Sequence, residues 1–163
     1  MIVSVYPVLG KTSICENNYK YIDLDSSLFN DYNSFWYINY CRTAKILSDM
    51  GYIVFVSSHK EVINEFIKWL GEYVCIVRPD ISTQLEHVDR LKERFDKTGS
   101  EKDYKAYEFM RDNFCDCVNE SEHMPNNEII IENLNNYNLE EIINYIESYE
   151  RCNKWLKEQK KDR

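Results

Sequence analysis

Hydrophobic positions along the chain fall into two alternating patterns. Five short runs are almost continuously apolar, β-branched or aromatic: Ile2–Val5, 19–24, 52–57, 73–77 and Glu128–Ile131. Unbroken runs of this length suit strands buried on both faces, as in a parallel sheet. Between them, apolar residues recur at helical spacing. Lys11–Asn17 opens a first helix, and 33–50 carries Phe35, Ile38, Ala44 and Leu47 before Gly51 as a stop. Segment 60–70 places Val62, Phe66, Ile67 and Leu70 on one face before Gly71. Segment 82–97 is charged, with Leu85, Val88, Leu91 and Phe95, and is broken by Lys97-Thr98-Gly99-Ser100. A second charged helix is expected from 101 to about 119, then a polar loop over 120–127 containing Pro125. A last helix over 138–157 turns Leu139, Ile142, Ile143, Ile146 and Trp155 inward, ahead of a charged tail expected to fray.

Strands alternating with helices imply right-handed crossovers and an α/β fold with a mostly parallel sheet. No repeat or low-complexity linker interrupts residues 1–163, so one domain is expected. In such sheets ligands bind beyond the carboxyl ends of the strands. That rule selects the loop after Val5, residues 23–27, 57–60, 78–80 and 132–133.

Composition narrows the function classes. A chain of 163 residues with 44% hydrophobic and 14% aromatic residues can bury one sizeable core. The net charge of −8 disfavours nonspecific coating of nucleic acid. No apolar run is long enough to span a membrane, and the start lacks the pattern of a secretion signal. The six cysteines include no Cys-x-x-Cys pair, and the spacing of Cys115 and Cys117 is poor for zinc. Reduced thiols in the cytoplasm are the expectation.

The first candidate site is Val5-Tyr6-Pro7-Val8-Leu9-Gly10-Lys11-Thr12-Ser13, between the first strand and the first helix. A phosphate-binding loop reads Gly, four residues, Gly-Lys-Ser/Thr. Gly10, Lys11 and Thr12 fit, and Val5 stands at the first glycine position. Gly10 lets the backbone turn its amides inward, Lys11 reaches terminal phosphates, and Thr12 offers a hydroxyl to Mg²⁺. The competing reading is a common tripeptide in an ordinary turn.

Three further constellations lie at the expected strand ends. Alternation puts Asp23 and Asp25 on one side, where a carboxylate can hold Mg²⁺ through water or accept a proton. Ser26 and Ser27 are placed to bond a base or sugar. Capping of the next turn by Asp25 or Ser26 is the alternative. After the third strand, His59 and Lys60 are placed to meet phosphate. The alternative is a capping box from Ser58 to Glu61. Arg90 and Arg94 share a helical face and suit the charge on a transferring phosphoryl group, with Arg111 on the next helix. A solvated face paired to Glu86, Asp89 or Glu93 is the alternative.

Together these residues resemble the phosphate-loop nucleoside monophosphate kinases, the adenylate-kinase-like group, and its small phage-encoded deoxynucleotide members in particular. Pro7 falls where that family often carries a proline. Gly10-Lys11-Thr12 matches the end of its loop, and 85–94 looks like its Leu-x-x-Arg-Leu-x-x-Arg helix, loosely at the first position. The family's Asp-Gly-Phe-Pro-Arg segment after the third strand is absent, with Ser57-Ser58-His59-Lys60 in its region.

The resemblance implies a three-layer phosphate-loop NTPase fold, strand order 2-3-1-4-5, and a lid-like helical region over about 82–119. It implies ATP as donor, Mg²⁺ at Thr12, and loop residues Pro7, Val8, Leu9, Gly10, Lys11 and Ser13 around the phosphates. Arg90, Arg94 and Arg111 would close over the transferring group. Asp23, Asp25, Ser26 and Ser27 would hold the acceptor, with Arg42, Lys60 or Arg78 replacing the missing arginine. A surface arginine on an amphipathic helix is the other reading of Arg42. Tyr104 and Tyr107 are either base-stacking or packing residues. Small-molecule nucleotides are the expected partners, and a monomer or homodimer the expected assembly. Two other readings stay open: a kinase for a nucleoside or a polynucleotide end, and a nucleotide-binding sensor without catalysis.

Overall fold

The structure is a computed structural model that describes residues 1–29, 34–71, 74–122 and 127–161, with the side chains at 69, 121–122 and 152–161 outside that description. The readings that placed Asn33, Tyr73, Pro125 and an inward Trp155 lie outside the described residues.

Five strands form one parallel sheet: β1 (Ile2–Val5), β2 (Tyr21–Asp23), β3 (Ile53–Val56), β4 (Cys75–Pro79) and β5 (Glu128–Ile131), in the order β2-β3-β1-β4-β5. The central strand β1 pairs Val3 with Phe55 on one side and Cys75 on the other. Its residues are buried throughout, as its unbroken apolar run requires. The helices are α1 (Lys11–Asn17), α2 (Trp36–Asp49), α3 (Lys60–Trp69), α4 (Gln84–Thr98), α5 (Glu101–Glu122) and α6 (Leu139–Lys161). Contacts join α1 to α6 and α2 to α3. This matches right-handed crossovers, which send β1–α1–β2 to one face and the returning crossovers to the other.

Several boundaries differ from the sequence reading for visible reasons. β2 is shorter than 19–24 because Asn18 makes a turn: its side-chain oxygen accepts from the Lys20 amide at 3.0 Å and its carbonyl from the Tyr21 amide at 3.1 Å. β4 runs on to Pro79, two residues past the expected end. A 3-10 turn over Ile81–Thr83 precedes α4, capped by Asp80, which accepts from the Ser82 amide at 2.9 Å. α5 continues to Glu122 and α6 to Lys161, into segments expected as loop and frayed tail.

The lid-like region is a helical hairpin. Gly99 ends α4 at φ 62, and its amide bonds the Phe95 carbonyl at 2.7 Å. α5 starts two residues later, so α4 and α5 must lie side by side. Leu91 on α4 and Met110, Phe114 and Val118 on α5 bury this interface within the core. Among the described residues, no helix is long and apolar enough to cross a membrane.

Candidate functional site

A cleft of about 1670 Å³ opens beyond the carboxyl ends of the strands. The loop after β1 forms its floor, the ends of β2 and β3 one wall, and the α4–α5 hairpin the other. This is where a parallel α/β sheet is expected to hold a ligand.

The loop has a shape that a run of ordinary residues does not take. Val8 sits at φ 54 and Gly10 at φ 92. Glycine accepts that conformation freely, whereas for a β-branched residue it costs about 1–3 kcal/mol. Alternating turns of this kind point successive amides into one concavity. Among the described residues, nothing accepts from the main-chain amides of Val8, Leu9, Gly10, Lys11 and Thr12. Lys11 folds back over the loop and donates its ammonium to the Val5 carbonyl at 2.7 Å. Burial lowers the Lys11 pKa; Arg94 and Lys102 add to that, and Asp23 and Asp25 oppose it. The loop is tied to the hairpin by Tyr6, whose buried hydroxyl donates to the Cys117 carbonyl at 2.9 Å.

The wall opposite carries the arginines. Arg90 bonds Glu86 at 3.3 Å, Asn135 at 3.3 Å and the Leu134 carbonyl, and so joins α4 to the segment after β5. Arg94 pairs with Asp103 at 2.7 Å across the hairpin. Asp103 is buried, accepts from Thr98 at 2.6 Å, and keeps a pKa below the usual carboxylate range: these bonds and Arg94 outweigh the opposing effect of burial.

Asp23 and Asp25 both line the cleft, as strand alternation required. Asp25 also does what the capping reading described, accepting from the Ser27 amide at 2.9 Å, and it pairs with Lys102. Burial alone would raise its pKa, but the bonds from Lys102 and Ser27 hold it down. Tyr40 on α2 fixes the two strand ends together: its buried hydroxyl donates to the Leu24 carbonyl at 2.9 Å and accepts from the Ser57 amide at 2.8 Å. His59 stands at the cap of α3 with no side-chain cap bond, so the Ser58–Glu61 capping box does not form. The Ser57 hydroxyl bonds His59 Nδ1 instead, and Trp36 meets the ring edge-on at 5.7 Å.

The cleft therefore gathers Pro7, Val8, Gly10, Lys11, Thr12, Ser13, Asp23, Asp25, Ser26, His59, Lys60, Arg90 and Arg94. Five expected residues lie outside it. Leu9 is buried beneath the loop, and Ser27 turns its amide to Asp25. Arg78 lies inside the sheet and bonds Glu128 at 2.9 Å and 3.1 Å, because β4 extends past it. Arg42 is exposed on α2, whose Tyr40, Cys41 and Ala44 take the buried face. Arg111 pairs with Asp112 at 2.8 Å and lies over the Tyr107 ring, two residues round α5 from the cleft stripe. Tyr104 and Tyr107 also lie outside the cleft. Of the α5 residues that line it, Phe109 is the large exposed apolar side chain, and the sequence reading did not single it out.

Charge in the cleft is balanced. Seven Lys or Arg side chains and eight Asp or Glu side chains line it, and most of the cations already have a carboxylate partner. A phosphate must exchange these pairs and cannot rely on a surplus of positive field. Among the described residues, no three His, Cys, Asp or Glu side chains gather to hold a metal by themselves.

No protein-family model, curated protein or solved structure matches the chain. The site must be read from its own geometry.

A second cavity, about 610 Å³, adjoins the cleft. Ser13, Ile14 and Asn17 of α1 line one side, and Leu134, Tyr137 and Asn138 the other. Gly10, Ser13 and Arg90 line both cavities, so the loop after β1 lies at their junction.

Proposed function

We propose that this protein transfers the terminal phosphoryl group of ATP to a nucleoside monophosphate, a deoxynucleotide foremost. The observation that carries the reading is the loop after β1. It combines unpartnered amides, Gly10 in the left-handed region, and a lysine resting on its own loop. An anion is the ligand that satisfies all three.

The donor's phosphates lie in the loop and its base extends into the second cavity, beside Ile14 and Tyr137. Lys11 leaves the Val5 carbonyl for a phosphate oxygen, exchanging one acceptor for a charged one. Thr12 would offer its hydroxyl to Mg²⁺ carried by the donor's phosphates, an ion that would supply neutralisation of phosphate charge. Arg90 and Arg94 face the transferring group from α4. Arg90 is already fixed by three acceptors, whereas Arg94 must give up part of its hold on Asp103. The acceptor lies against the ends of β2 and β3, where Asp25 and Ser26 position it; an oxygen of its phosphate attacks the terminal phosphorus of ATP as the bond to the β–γ bridging oxygen breaks, and ADP leaves. Such chemistry is positioning and charge neutralisation, so no covalent nucleophile is needed.

A nucleotide sensor without turnover is the second reading, favoured by Ser57 and Ser58 standing where an acid would close β3 and by the balanced charge of the cleft. Calorimetric titration of ATP with Mg²⁺ into wild type, Lys11→Ala and Arg94→Ala tests the site. Binding that Lys11→Ala weakens by 100-fold or more and Arg94→Ala only a few-fold supports it. Equal binding to wild type and Lys11→Ala removes the loop from the account.

A further inference from the structure

One stripe of α5 faces the cleft: Lys102, Ala106, Phe109, Cys117 and Glu120. Their spacing keeps them on one side of the helix. Both ends are anchored across the opening. Lys102 pairs with Asp25 just after β2, and Glu120 with Lys60 just after β3. The helix therefore crosses the acceptor wall, with Phe109 about 10 Å along its axis from Lys102.

Phe109 is 55% exposed although it lines the cleft. Of the other large apolar side chains that line the cleft, Tyr6 and Met110 are buried and Leu24 is half-buried. Among the described residues Phe109 pairs with no other ring. An aromatic face left to water in a polar cleft is a ready surface for a flat partner. Residues 57–59 line the same cleft. These bring two hydroxyls and an imidazole whose orientation is fixed by Ser57 and Trp36. One wall offers a π-face, and the other offers hydrogen-bonding groups that can read the edge of a ring.

We propose that Phe109 is the stacking surface for the base of the acceptor, with residues 57–59 reading the base edge. The acceptor class is then a heteroaromatic phosphate ester, as opposed to a sugar or a simple alcohol. This rests on the kinase reading above and deepens it. Stacking on an aromatic side chain strengthens base binding about ten- to hundred-fold.

The test compares wild type, Phe109→Ala and Phe109→Trp in ADP formation, with each nucleoside monophosphate as acceptor. Ribose 5-phosphate, which has no base, serves as a competing ligand. Phe109→Ala is expected to raise the acceptor KM about ten- to hundred-fold. The KM for ATP and the inhibition by ribose 5-phosphate should stay within two-fold, and Phe109→Trp should restore the acceptor KM. An unchanged acceptor KM in an active Phe109→Ala, or an equal loss of ribose 5-phosphate affinity, overturns the stacking role and leaves the kinase standing. Wild type without turnover on any nucleoside monophosphate overturns the kinase reading and this inference with it.

Discussion

Lys11 donates to the carbonyl of Val5 at 2.7 Å, and Val5 is the residue that stands at the first glycine position of the loop pattern. The missing glycine does not prevent the loop from forming, because the tight turns fall at Val8 and Gly10. Val5 belongs to the central strand and is fully buried, so a side chain there packs into the core. In the absence of phosphate its carbonyl gives the lysine an acceptor.

Val8 gives a test of the loop's conformation that is independent of chemistry. At ordinary φ, glycine is less stable than alanine by about 0.5–1 kcal/mol. At φ 54 the order should invert, with Val8→Gly more stable than Val8→Ala by about 1 kcal/mol in urea unfolding. Comparing these two variants cancels the lost valine packing. The ordinary order would mean that the loop does not hold Val8 in the left-handed region.

His87 should make the fold acid-sensitive. It is fully buried against Phe114 at 5.2 Å, and among the described residues neither ring nitrogen has a hydrogen-bond partner. Burial, with Arg90 and Arg94 nearby, lowers its pKa to about 4. The unfolded chain then binds the proton more readily, so the stability from a neutral His87 is complete above about pH 6.5 and declines as pH falls toward 4. The loss over that window is about 3 kcal/mol. Asp25 and Asp103, held low, lose their contributions only as pH falls through and below the usual carboxylate range. His87→Leu should flatten the profile between pH 6.5 and 4; identical profiles for wild type and variant would refute the assignment.

Arg78 is structural in this account. Glu128→Ala removes the carboxylate to which the buried Arg78 guanidinium donates from two nitrogens, and should cost about 3 kcal/mol. The folded variant should keep the acceptor KM of wild type. A raised acceptor KM at unchanged stability would return Arg78 to the substrate site.

Tyr40→Phe removes one hydroxyl and takes a partner from two half-buried main-chain groups, Leu24 C=O and Ser57 N–H. A loss of about 1–3 kcal/mol is expected by denaturant titration. Loss below 0.5 kcal/mol would mean that water replaces the hydroxyl, and that Tyr40 does not brace the acceptor wall.

The strands were legible because both faces of β1, β3 and β4 are covered, which leaves continuous apolar runs. The loop was legible because Gly10-Lys11-Thr12 follows such a run directly. Side-chain direction was less so. Arg78 looked available because its strand was expected to stop at 77, and two more paired residues carry it into the sheet. Phe109 was hidden for a different reason. Ala106, Tyr107, Phe109, Met110 and Phe114 are all apolar positions on one charged helix, and only the path of α5 over the strand ends decides which of them meets the cleft. The Lys102–Asp25 and Lys60–Glu120 pairs that set this path join residues 77 and 60 apart in sequence, beyond the reach of local pattern.

The central claim is tested most directly by ADP formation from ATP and Mg²⁺ with each ribo- and deoxyribonucleoside monophosphate, in wild type and Lys11→Ala. The account predicts turnover with at least one acceptor, highest with a deoxynucleotide, and a loss of 100-fold or more in the variant. Turnover that survives Lys11→Ala, or ATP binding with no turnover of any acceptor, would contradict it.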